Sequence, residues 1–111
     1  MNFRKCLSLI VVLLLSTLAS FQASAYDGTA NGKIGQIDVT DNSNFGVRVY
    51  MAGYPTMCTG GGNFAYLYNT DSNFNVYVAS LITAKAMGSP VTIQSYTVSG
   101  YCHIAYLAVG T

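Results

Sequence analysis

Residues 72–87 are long enough for a helix and apolar on more than one side, which constrains the chain more than any other stretch. Asp71 or Ser72 offers an N-cap oxygen. Gly88 sits where the backbone must turn left-handed, and Pro90 prevents continuation. Phe74, Tyr77, Val78, Leu81 and Ile82 form one stripe. Val76, Ala79, Thr83, Ala86 and Met87 form a second, and only Asn73, Asn75, Ser80 and Lys85 interrupt the apolar surface. A helix on a monomer's surface carries a broad polar face. This one is therefore expected to be covered twice, by its own sheet and by another subunit.

The rest of the chain reads as short strands. Over 33–40 the apolar phase slips between Ile34 and the pair Ile37 and Val39, with Gly35 at the slip, as a β-bulge requires. The turn formers Asp41-Asn42-Ser43-Asn44 lead into a clean alternation over 45–51. Residues 52–62 form a looser connection holding Pro55, Cys58 and Gly60-Gly61-Gly62. No Lys-Ser/Thr pair and no helix follow these glycines, so they do not make a phosphate-binding loop. Residues 63–69, 91–98 and 101–109 supply three more strands, the last two joined through Ser99-Gly100. Residues 26–32 are short, polar and glycine-containing, an opening arm rather than an element. The predicted order is β-β-β-α-β-β, mainly β with one α-helix. Five short strands avoid exposed edges by closing, and a five-stranded barrel with a helix after the third strand is an OB-fold, an architecture that binds oligonucleotides or oligosaccharides.

Residues 1–25 read as a secretory signal. Arg4 and Lys5 begin it, an apolar run over 7–18 is broken only by Ser8, Ser16 and Thr17, and Ala23-Ser24-Ala25 suits a signal peptidase. The run is shorter than the roughly 20 residues a bilayer span needs. Cys6 precedes it, away from the position of a lipoprotein cysteine. The expected working protein is a single domain over 26–111, exported to the periplasm or beyond, with no membrane span. It keeps Lys33, Arg48 and Lys85 against Asp27, Asp38, Asp41 and Asp71, one net negative charge. Three scattered cations cannot form the basic face that nucleic-acid binding demands.

Export also leaves Cys58 and Cys102, an even count in an oxidising compartment, for which a disulfide is the default. Closing that loop stabilises a small domain by roughly 4 kcal/mol on the chain-entropy account. The alternatives are a reactive thiol or a metal site, but one histidine and two cysteines leave zinc short of ligands unless a carboxylate joins them. Catalysis finds little support. His103 is the only imidazole, sits next to Cys102 in a strand where neighbours face opposite ways, and alternates with Ala105 and Leu107. Asp38 and Asp41 flank a turn with no glutamate to act as acid against base. No catalytic residue and no cofactor is expected. The nine tyrosines are more informative: they exceed what one small core can hold with every hydroxyl paired, and such rings suit interfaces and the apolar faces of sugars.

With these features in place, the chain resembles the pentamer-forming B subunits of secreted bacterial toxins of the subtilase cytotoxin and typhoid toxin kind. Asp27-Gly28-Thr29-Ala30-Asn31-Gly32 is similar to the family's Asp-Gly-x-x-Ser-Gly motif, and Gly88-Ser89-Pro90-Val91-Thr92-Ile93 to its helix-to-strand step. In that family the motif's Asp and Ser hydrogen-bond a glycan ending in sialic acid, and five helices line a pore beneath a catalytic subunit. The resemblance implies Asp27 and Asn31 as glycan contacts, with an amide replacing a hydroxyl at Asn31. A family tyrosine that abuts the sugar falls at Ser95, with Tyr96 beside it on the opposite face. The family's cysteine in strand two is missing, which leaves Cys58 and Cys102 as a different staple.

The implied function is a homopentameric, glycan-binding module displayed to host cell-surface glycans, with or without a separate catalytic A subunit, and with Val76, Ala79, Thr83, Ala86 and Met87 at the subunit interface. The competing expectation is a monomeric periplasmic inhibitor or accessory protein. A small hydrolase would depend on His103.

Overall fold

A computed structural model describes residues 25–110. The export segment expected over 1–25 lies outside them except for Ala25. The described chain is mainly β with one helix, in the order β1 (Gly28–Gly32), β2 (Ile34–Val39), a 3-10 turn (Asn42–Asn44), β3 (Val47–Met51), β4 (Ala65–Leu67), α1 (Phe74–Met87), β5 (Val91–Val98) and β6 (Tyr101–Val109). The strands form one sheet in the order β1-β5-β6-β4-β3-β2. Every neighbouring pair is antiparallel except β4 with β6. Among the described residues, no helix is long and apolar enough to cross a membrane.

The sheet has six strands where the sequence pattern gave five. The arm over 26–32 is a strand, β1, paired with β5 from Gly28 opposite Ser95 to Gly32 opposite Val91. Its composition hides it, because glycine and asparagine are depleted in strands and only Ala30 is buried. Pairing, not propensity, makes it a strand. Lys33 alone separates β1 from β2, yet these two strands occupy opposite ends of the sheet. A flat sheet cannot satisfy that connection, so the sheet curls into a half-barrel. The bulge expected at Gly35 appears as a register shift between Ile34 and Gln36.

A second bulge falls in β6, where Gln94 faces Tyr106 but Ser95 faces Ile104, leaving Ala105 unmatched. The extra residue resets the alternation. Ile104 is buried and Leu107 packs against the core, so Leu107 does not share His103's face as uninterrupted alternation predicts.

Helix α1 starts later than the caps suggest. Asn73 is its N-cap, in the left-handed region at φ 60°, with no side-chain cap bond. The Asp71 carboxylate instead accepts from Tyr68 N at 2.8 Å. At the other end Gly88 adopts φ 64°, and the N–H groups of Gly88 and Ser89 reach the carbonyls of Lys85 and Ala84 at 3.2 and 2.9 Å, the left-handed stop expected there. Leu81 and Ala84 are fully buried, and Phe74, Tyr77 and Val78 pack beside them. Ile82, assigned by its spacing to the inner stripe, is 52% exposed, and Ala84 takes its place.

The core fills the curl with Val47, Val49, Met51, Leu67, Val91, Ile93 and Ile104 beneath Leu81. Cys58 and Cys102 form a disulfide with Cα atoms 5.7 Å apart, tying the β3–β4 loop to β6.

Leu81→Ala is expected to lower the unfolding free energy by about 2–5 kcal/mol, through lost burial and the cavity left behind. Denaturant unfolding followed by circular dichroism measures this, and a loss below about 1 kcal/mol would mean that α1 does not belong to the cooperative core.

Candidate functional site

The pairing of β1 with β5 builds one polar face. Along β1, Gly28, Ala30 and Gly32 point toward the core side, while Asp27, Thr29 and Asn31 are exposed. The register sets Thr29 opposite Gln94 and Asn31 opposite Thr92 on β5, and Gln94 in turn opposite Tyr106 on β6. Asn31 and Thr92 are joined directly, the Thr92 hydroxyl donating to Asn31 Oδ1 at 2.6 Å. That bond leaves the amide N–H2 of Asn31 able to donate to a ligand. At the other end, Asp27 Oδ2 accepts from Thr97 N at 2.8 Å. One such bond uses only part of a carboxylate's acceptor capacity.

Beside Asp27 lies an open hollow of about 280 Å³, lined by Asp27, Gly28, Thr29 and the 56–59 segment. Tyr26, which directly precedes Asp27, belongs to a tyrosine cluster. Tyr26 lies 5.0 Å from Tyr96 and 6.4 Å from Tyr106, centroid to centroid. Hydroxyls, an amide and a carboxylate alongside partly exposed rings offer the two kinds of contact a sugar needs: hydrogen bonds to its rim and an apolar surface for its ring face.

Asp27 and Asn31 thus share one face, four residues or about 13 Å apart along extended backbone. That span exceeds one sugar ring. Tyr96 joins them at the Asp27 end, 40% exposed. Ser95 does not: it is fully buried, its hydroxyl donating to the Met57 carbonyl at 3.4 Å, so it has no surface to offer a ligand. Sequence reasoning missed Tyr26, Tyr106, Thr56, Thr59 and Gln94 as members of this face. The tyrosine excess marked Tyr26 and Tyr106 only as a class and Tyr26 adjoins Asp27 in sequence, whereas Thr56, Thr59, Gln94 and Tyr106 meet this face only through pairings distant in sequence.

The expected interface residues Val76, Ala79, Thr83, Ala86 and Met87 are all exposed in the single chain, Val76 at 66% and Met87 at 73%. The Thr83 hydroxyl donates back to the Ala79 carbonyl at 2.7 Å. With its polar atom turned to the helix backbone, Thr83 adds little polarity to the stripe. Lys85 reaches over to donate to the Gly35 carbonyl at 3.1 Å.

A second cluster crosses the same side of the sheet. Register aligns Asp38, Arg48, Tyr66, His103 and Tyr96 across five strands. Arg48 pairs with Asp38 at 3.2 Å and lies 5.7 Å above the Phe64 ring. His103 Nε2 contacts Asp71 Oδ2 at 2.7 Å, and its ring stacks on Tyr66 at 4.9 Å with an interplanar angle of 16°. The hydrogen bonds of the described residues give His103 this carboxylate partner and no hydroxyl or thiol nucleophile. The pair ties β6 to the turn before α1. Among the described residues, no group of three or more metal-ligating side chains converges.

Comparison of the chain with protein families, with curated proteins and with solved structures finds no match.

Burial pushes the phenol pKa of Tyr66 up, and Tyr68 and then the Asp71 carboxylate push it further the same way. Burial also raises that of Tyr77, with Tyr26 and Asp71 adding to it. A raised folded-state pKa means that the unfolded chain gives up its protons first. The associated stability is present in full below the ordinary tyrosine value of about 10 and is lost as pH rises above it. The unfolding midpoint in denaturant is therefore expected to fall as pH rises above about 10, and Tyr66→Phe with Tyr77→Phe to flatten that fall. An unchanged slope in the double variant would assign the alkaline loss to other groups.

Proposed function

We propose that this chain is an OB-fold, glycan-binding module resembling toxin B subunits. It works as a homopentamer on cell-surface glycans that carry sialic-acid-type termini, with the capacity to carry a separate catalytic subunit. The observation that carries the reading is α1: one apolar face is buried under the sheet, while Val76, Ala79, Ile82, Ala86 and Met87 form a second that the single chain leaves uncovered. An apolar stripe of that length on a helix suits association with copies of itself around an axis. The strand order supports the barrel reading. With β1 and β2 counted as one bent strand divided at Lys33, it becomes first, second, third, fifth, fourth and back to the first, with the third and fifth parallel, the connectivity of an OB barrel.

The sugar reading rests on the face shared by Asp27, Asn31 and Tyr96. Asp27 accepts from a ligand hydroxyl, Asn31 donates through its amide, and the rings of Tyr96 and Tyr26 supply an apolar platform. The distance between Asp27 and Asn31 suits an oligosaccharide of two or more units better than a single ring.

Native mass spectrometry of the mature protein is expected to give a five-chain assembly, and Val76→Asp with Met87→Lys to give a folded monomer. A wild-type monomer at micromolar concentration would defeat the pentamer and favour the monomeric accessory or inhibitor reading. On immobilised sialyllactose, Asp27→Ala is expected to weaken binding by about tenfold or more, the scale of one hydrogen bond to a charged group, and Asn31→Ala by somewhat less. Undiminished binding in both variants would reject this face as the site.

A further inference from the structure

Asp27 owes its position to the segment that the disulfide holds. Its N–H donates to the Ser95 carbonyl at 3.0 Å, its own carbonyl accepts from Thr59 N at 2.9 Å, and its carboxylate accepts from Thr97 N at 2.8 Å. Thr59 directly follows Cys58, and Thr97 stands opposite Cys102 in the β5–β6 register. The Thr97 hydroxyl donates to the Thr59 carbonyl, so the two residues that grip Asp27 also grip each other. Packing reinforces the grip. Gly28 lies so close to the Met57 carbonyl and the Cys58 backbone that a Cβ there would overlap them, and Gly61 lies so close to the two sulfurs that a Cβ would overlap both. Asp27, the 56–59 segment, the disulfide and Gly61 are thus stacked in one column.

We infer that the Cys58–Cys102 disulfide is the positioning element of the Asp27 site, so that breaking it dismantles the site while the rest of the fold persists. The ligand involved is the one named by the glycan-binding reading, on which that part rests; the geometry stands apart from it. Between β3 and β4 the chain contains no regular element, and besides the disulfide its ties to the barrel near Asp27 are the Thr59 bonds, the long Ser95–Met57 bond and the buried Met57 side chain. Met57 keeps the upstream end of the loop in the core. Residues 59–61 carry no buried side chain to anchor them once the covalent tie is gone.

A dithiol reductant opens the bond in two steps. Its thiolate attacks one sulfur, forming a mixed disulfide and expelling the other cysteine as a thiolate that takes a proton from solvent. Its second thiol then displaces the first cysteine, leaving two cysteine thiols and an oxidised cyclic reductant. Cys58 and Cys102 are 4% and 0% exposed, so attack requires the loop to open first. Gly60-Gly61-Gly62 covers the bond, and opening it breaks the Gly61 N–H bond to the Cys58 carbonyl at 3.1 Å and the Met57 N–H bond to the Gly62 carbonyl at 2.9 Å. The site is therefore formed under oxidising conditions and released under sustained reduction.

Amide hydrogen exchange of the mature protein, oxidised and after treatment with dithiothreitol, tests this together with binding to immobilised sialyllactose. On reduction, the Thr59 and Thr97 amides are expected to exchange at least about tenfold faster while the β3 amides keep their protection. Gly61→Ala, which keeps both cysteines, is expected to produce the same local loss in the oxidised state. Unchanged protection at Thr59 and Thr97 in both cases overturns the inference, and so does reduction that strips protection from β3 as well. Binding separates this from the glycan reading. Oxidised protein that binds and loses binding on reduction supports both, and equal binding in the two states overturns the inference alone. An oxidised protein that never binds removes the glycan reading and leaves the exchange data to decide the positioning role.

Discussion

One residue of chain, Lys33, lies between two strands at opposite ends of the same sheet. The peptide cannot stretch, so the sheet must curl until its ends nearly meet, and the Lys33 carbonyl accepts from Ala52 N at 2.8 Å just beyond β3. The curl creates the concave side that Val49, Leu67, Ile93 and Ile104 fill and that α1 closes. It also carries β1 away from β2 and onto β5. Asp27 and Asn31 come to lie beside Tyr96, Thr92 and Gln94 because of this one connection.

Charge contributes little to holding this arrangement. Arg48–Asp38 and His103–Asp71 are partly exposed pairs, and such pairs are worth at most about 1 kcal/mol each. The disulfide, at roughly 4 kcal/mol on the chain-entropy account, outweighs both together. Burial around Leu81 therefore carries the fold, and the covalent tie from Cys58 to Cys102 adds to it while holding the 58–61 segment in place. The charged groups are left to organise its outer surface, where Arg48 covers Phe64 and the His103 pair fixes the turn before α1. Tyr66, 3% exposed although it sits on the outer side of the curled sheet, shows how the aromatic side chains build a second packed layer there.

The same sparing use of charge leaves α1 with two apolar faces. The inner one meets the core through Leu81 and Ala84, and the outer one keeps Val76, Ile82 and Met87 in solvent in the single chain. Thr83 bonds to its own helix and Lys85 reaches to Gly35, so neither gives the outer stripe the polar character of an ordinary surface helix. Uncovered apolar area of this kind favours association, and it reaches toward the tyrosine cluster, since Tyr106 and Val76 line one shared hollow.

By itself the sequence determined what depends on near neighbours. The helix with its glycine stop, the bulge at Gly35, the later strands and the pairing of two cysteines all follow from periodicity, backbone conformation and count, which act over a few residues or by elimination. The tertiary structure decided what depends on partners far along the chain. Gly28–Gly32 is a strand only because β5 lies beside it. Ser95 is buried because the 56–59 segment covers it, Ala84 displaces Ile82 from the inner stripe because the curled sheet selects which side of α1 it meets, and the bulge at Ala105 turns Leu107 inward. The candidate site belongs to the second group: its carboxylate, amide, threonines and tyrosines come from four separate segments, and they meet only when the sheet has curled.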